Sequence, residues 1–199
     1  TKGYLALGSS DDGEDFGNAC GVTAADGARI NALHDDFVVN TGGGLRSRYF
    51  PTCPRPSDAG AGVGCTVFQW NNLGLFVQGG APNGAAVFQA VLYDNGQIAY
   101  QYRTADPLEG GGATVAIQDG AGGVGLEYAC NTAGRVRANR AVCFFPPSAL
   151  PPGLASPAIT LTASRDLGAL APAASTQANV EFAVDPAAAC GAPLAIRYV

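Results

Sequence analysis

Residues 86–103 read AVFQAVLYDNGQIAYQYR, and this stretch constrains the fold more than any other. Two short runs rich in β-branched and aromatic residues, AVFQAVLY and QIAYQYR, flank Asp94-Asn95-Gly96 and read as two strands joined by a turn. The glycine supplies the positive φ that a tight hairpin turn requires. Similar runs recur along the chain. GYLALG is a first strand, DFVV and LRSRYF flank a glycine triplet, and TVFQW is followed beyond Asn71-Asn72 by LGLFVQ. ATVAIQD and VGLEYAC form a second hairpin around GAGG, and RAVCFF closes the block. The 28 glycines and 13 prolines are spread through the chain and exclude long helices. DGARINALHDDF, residues 26–37, is the one helix candidate, expected to make one or two turns. The fold class is therefore all-β.

A chain of 199 residues with 47% hydrophobic content can bury a substantial core. Only 14% of the residues are charged and the net charge is −5, which argues against a nucleic-acid partner. The nearest approach to a basic cluster along the sequence is Arg135, Arg137 and Arg140, read as a solvated strand or loop edge. No window approaches 18 uninterrupted apolar residues, so no transmembrane helix is expected. No signal peptide is visible and methionine is absent, which implies a processed or excised product.

Six widely spaced cysteines, without a C-x-x-C pair and with His34 as the lone histidine, fit disulfides in an oxidising compartment better than zinc. Cys53–Cys65 would staple the loop CPRPSDAGAGVGC, and Cys130–Cys143 would staple CNTAGRVRANRAVC, which reads as strand-turn-strand. Cys20 and Cys190 remain, paired either with each other or, for Cys190, with a partner elsewhere.

Residues 146–157, PPSALPPGLASP, read as a stiff proline-rich linker between a β-domain at 1–145 and a segment at 158–199. That last segment has about three strands at immunoglobulin-like spacing, against about seven in a complete sandwich. It is expected to be an incomplete immunoglobulin-like β-domain. Thr1 lies two residues before the first strand, so both ends of the chain are expected to leave sheet edges that something must complete.

Five segments, in order, resemble nidogen-like extracellular domains and related modules of large secreted bacterial proteins. TKGYLALGS resembles their NGYxxFG opening, and INALHDDF resembles IAPxWxDx with His34 at the tryptophan position. TVFQWNNLGLF resembles xxxTWxNVxxF, the hairpin at 86–103 resembles NTFQxVLxxDGxxxFxxxY, and ATVAIQDGAGGVGLEYA resembles ATVGIxDxxG. The resemblance covers residues 1–145. It implies a jelly-roll-like antiparallel sandwich in secreted, multi-modular, non-catalytic proteins, with strands upstream of GYL missing and no catalytic residues to carry over.

The chemistry-bearing residues are few. Asp11, Asp12, Glu14 and Asp15 form an acidic, glycine-containing loop whose oxygens are weak calcium candidates, although the spacing is not that of an EF-hand. A solvated acidic turn is the favoured reading. His34-Asp35-Asp36 lacks an activated nucleophile and is read as structural. Trp70 shares a strand face with Phe68 and is read as core rather than as a sugar-stacking platform. Tyr93, Tyr100 and Tyr102 are either an aromatic surface or cross-strand packing. No cofactor is implied.

Two functions follow. The first is an extracellular or cell-surface structural protein, non-enzymatic, self-associating into filaments by strand donation. Its candidate donor strands are Gly3, Tyr4, Leu5, Ala6 and Leu7 at one end and Leu194, Ile196 and Tyr198 at the other. The alternative is an adhesive or carbohydrate-binding module of a larger secreted protein.

Overall fold

In the computed structural model the described residues are 2–8, 15–21, 27–58, 60–120, 125–146, 159–161 and 182–184. Every regular element among them is a β-strand, and no helix occurs. The chain divides into two compact units, Thr1–Ala149 and Leu150–Val199. The proline-rich segment that contains this division lies, apart from Pro146, outside the described residues.

The first unit is a sandwich of two antiparallel sheets. One has four strands in the order β1 (Tyr4–Ala6), β2 (Arg29–His34), β7 (Thr114–Gln118), β8 (Gly125–Cys130). The other has five in the order β3 (Phe37–Phe50), β4 (Cys65–Leu75), β5 (Asn83–Tyr93), β6 (Ile98–Thr104), β9 (Arg140–Phe144). In the second unit, β10 (Ile159–Leu161) pairs antiparallel with β11 (Phe182–Val184). The expected third strand, with Leu194, Ile196, Tyr198 and nearby Cys190, lies outside the described residues.

Of the helix expected at 26–37, the described residues 27–37 form none. Every residue of β2 is buried, so both its faces are covered and the alternation that marks a half-exposed strand is lost. Its two halves around the glycine triplet notwithstanding, the segment 37–50 is one long strand. Register slips between Val39 and Gly44, opposite Asn72, whose φ is +56°. Asn40 Nδ2 donates to Asn72 Oδ1 at 3.1 Å, and Asn72 Nδ2 donates to the Thr41 carbonyl at 3.1 Å. A Cβ on Gly43 would fall 2.5 Å from the Asn72 carbonyl oxygen, so only glycine fits this bulge.

Between the sheets lies an aromatic core. Trp70 stacks on Phe88 at 5.0 Å between ring centroids, with Phe37 and Tyr102 tilted against Phe88. The core reading of Trp70 matches the structure, where it is 1% exposed. Tyr100 and Tyr102 are core residues as well. Each reaches from β6 across the sandwich and donates its hydroxyl to a backbone carbonyl of the opposite sheet. Tyr100 bonds Ala116 at 2.8 Å, and Tyr102 bonds Ala32 at 2.6 Å. Burial pushes both phenols well above their ordinary pKa.

Candidate functional site

The outward face of the five-stranded sheet carries the most distinctive constellation. Antiparallel register aligns Arg46, Gln69, Gln89, Gln101 and Ala141 in one row across β3, β4, β5, β6 and β9. Arg48, Val67, Val91, Ala99 and Cys143 form the adjoining row. Opposed residues point to the same side of a sheet, so both rows face outward, away from Trp70 and Phe88.

At one end this face is roofed by the loop between β3 and β4. The Cys53–Cys65 disulfide closes that loop over 12 residues, as the sequence suggests. Cys53, Cys65, Val91, Tyr93 and Ala99 form a second small core beneath it. A polar clamp fixes the roof to the β5–β6 hairpin. Arg55 donates to the Tyr93 hydroxyl at 2.7 Å and to Asp58 at 2.8 Å. Gln97, fully buried, donates to Asp58 at 2.6 Å and accepts from the Ser57 hydroxyl at 2.7 Å. Burial raises the Asp58 carboxyl, but the hydrogen bonds from Arg55 and Gln97 outweigh it and hold the group below its usual value.

Roof and sheet together bound a shallow trough, about 540 Å³ at the roofed end and about 520 Å³ at the open end. Gln69, Gln89 and Gln101 lie in both parts and form its floor. None of the three amides has a side-chain partner among the described residues. Four of the chain's eleven basic residues line the trough on the outward face: Arg46, Arg48, Arg55 and Arg103; Arg140 borders its open end but stands opposite Tyr102 in the register, on the core side of the sheet. No described Asp or Glu lines it. Arg55 is neutralised by Asp58, and Arg48 lies over the Phe50 ring, 4.9 Å from its centroid. Arg46, Arg48 and Arg103 make no ion pair among the described residues. In a chain of net charge −5 this is a marked segregation of positive charge. It is not visible along the sequence because its arginines come from β3, a loop and β6. The Arg135-Arg137-Arg140 run is exposed as expected, with Arg137 3.6 Å from Glu109.

The other sequence candidates are dispersed. Cys130 bonds Cys20, not Cys143. Cys130 ends β8 in one sheet while Cys143 sits in β9 of the other, so the expected strand-turn-strand does not exist. Cys143 is a free thiol in the second core, its pKa raised chiefly by burial. Asp15 pairs with the buried Arg29 at 2.6 Å, while Asp11, Asp12 and Glu14 lie outside the described residues. Among described residues no three His, Cys, Asp or Glu side chains converge as a metal site. His34 is buried, its ring 4.7 Å from that of Tyr4 and its Nε2 3.2 Å from the Asp15 carbonyl oxygen. Burial pushes the neighbouring Asp35 carboxyl up to about 6. Gly3 to Leu7, the candidate donor segment, pairs within its own chain: Tyr4, Leu5 and Ala6 oppose Asn31, Ile30 and Arg29 of β2.

Comparison with known proteins returns no match to a protein-family model, a curated protein or a solved structure.

Proposed function

We propose that the unit Thr1–Ala149 is a non-enzymatic, extracellular binding module that holds its ligand against the outward face of the five-stranded sheet. The trough over Gln69, Gln89 and Gln101 carries this reading. Its described lining offers positive charge and amide donors and acceptors without protein partners, but no histidine, aspartate or glutamate to activate a nucleophile or transfer a proton. Binding needs only the former; hydrolysis needs the latter. Two disulfides and the absence, among described residues, of a helix long and apolar enough to cross a membrane accord with a secreted or surface location. The test is retention of the full chain on a panel of immobilised glycans, with Gln101→Trp filling the trough floor. Retention lost in a normally folded Gln101→Trp variant supports the reading. Retention on no glycan, or retention indifferent to that substitution, refutes it.

A second reading, self-association into filaments by strand addition, is favoured by β3. This strand has 14 residues, lies at a sheet edge, and exposes Val39, Leu45 and Tyr49. Exposed edges of this kind recruit further strands. The cis pairing of Tyr4–Ala6 works against donation of that segment, which would first have to leave β2. Electron microscopy of the purified chain, with Leu45→Lys and Tyr49→Lys as edge-blocking variants, decides it: filaments that persist in both variants rule out β3 as the acceptor.

A further inference from the structure

We propose that the trough is built for a linear polysaccharide bearing carboxylates, a polyuronate, laid across the strands; this rests on the binding-module reading above. The row from Arg46 through Gln69 and Gln89 to Gln101 crosses three inter-strand gaps, roughly 14 Å at the usual strand spacing. That length accommodates a few sugar rings in extended form. Each glutamine amide offers both a donor and an acceptor, the combination that ring hydroxyls match. Arg46 and Arg48 on one side and Arg103 on the other bracket the amide row. A guanidinium binds a carboxylate through paired N–H groups. With Arg55 committed to Asp58, these three are the trough cations left for a ligand among the described residues.

Other polyanions fit less well. Single-stranded nucleic acid binds on exposed aromatic platforms. Here the aromatics that border the trough are Phe50, covered by Arg48, and Phe88 and Tyr102, whose rings are buried in the core. Duplex DNA presents a charge density that a chain of net charge −5 opposes at long range. Acidic peptides are captured by sheets chiefly along their edges, whereas this charge lies in the middle of a face.

The experiment is calorimetric titration of the full chain with polygalacturonate and with its fully methyl-esterified form, which keeps the backbone and removes the charge. Dextran sulfate, oligothymidylate and polyglutamate serve as competitors. Polygalacturonate is expected to bind at least tenfold more tightly than the ester and to weaken as salt is raised. The Arg46→Gln, Arg48→Gln pair is expected to lose about tenfold at unchanged thermal stability, as two partly exposed ion pairs would. Arg135→Gln, outside the trough, should bind as the parent does. Equal binding of ester and acid overturns the charge assignment and leaves the binding module standing. Equal displacement by all three competitors overturns the polysaccharide. Binding of neither galacturonan overturns the polyuronate assignment, and the glycan panel then decides whether the module reading falls with it.

Discussion

Replacing Tyr102 by phenylalanine removes one oxygen from the middle of the sandwich, and the consequence can be worked out from the two sheets it joins. Ala32 lies where the register between β2 and β7 breaks, between Asn31 and His34. At such a break the ladder does not supply every carbonyl with a donor. The Tyr102 hydroxyl, reaching over from β6, supplies one at 2.6 Å in a site with no access to water. Loss of a donor to a buried carbonyl costs about 2 kcal/mol. For a domain of this size each kcal/mol is worth roughly 2–4 °C in Tm. Tyr102→Phe should therefore lower Tm by about 4–8 °C while leaving ring packing against Phe88 intact. Thermal melts followed by circular dichroism measure the shift. Tyr128→Phe is the control: its hydroxyl is 3.4 Å from the Arg135 carbonyl oxygen and the side chain is 42% exposed, so its Tm should hardly move. Alkaline titration gives an independent check, since Tyr100 and Tyr102 should stay protonated until the fold is lost. Equal shifts for the two substitutions, or two core phenols ionising with the exposed ones, would show that the cross-sheet bond is not what holds Ala32.

Other outcomes follow from the same geometry. Gly3→Ala places a Cβ 1.8 Å from the Leu33 carbonyl oxygen at φ +81°, so β1 should detach at a cost of about 2–4 kcal/mol, read as lost hydrogen-exchange protection at Leu33, whose N–H donates to the Gly3 carbonyl. Asp35, raised to about 6 chiefly by burial and further by the nearby Asp106 and Asp36 charges, binds its proton more tightly folded than unfolded. Its contribution is therefore present at low pH and is lost as pH rises from about 4 through 6. Asp35→Asn should be more stable than the parent at pH 7.5 by about 1 kcal/mol, discounted for its partial exposure, and the gain should shrink toward pH 5; a gain independent of pH would contradict the assignment. Removing Cys53–Cys65 as the double alanine variant should cost about 3 kcal/mol from the 12-residue closure, measured by denaturant unfolding, and an unchanged midpoint would show that the polar clamp alone holds the roof.

Strand periodicity was legible because a half-buried strand writes its burial directly into alternate residues. TVFQW reads that way, and the hairpin at 86–103 is marked by its turn, where Gly96 adopts φ +86° between β5 and β6. The Cys53–Cys65 staple was legible because its partners are close in sequence. β2 was misread because a central strand covered on both faces loses that alternation. The Cys130–Cys143 pairing was misread because nearness in sequence does not reveal which sheet a strand joins. The trough was not legible at all. Its glutamines sit one per strand, in QWNN, FQAV and YQYR, and only the register aligns them.

By itself the amino-acid sequence settled what is local: glycine at turns, strand-like runs and the all-β class; it suggested the short disulfide without deciding it. The tertiary structure decided what depends on neighbours distant in the chain: which strands pair, where Cys130 finds its partner, and how scattered arginines become one positive face. The division is physical. Backbone conformation is governed by residues within a few positions, whereas register and charge juxtaposition arise only when sheets assemble and bring β3, β4, β5, β6 and β9 side by side.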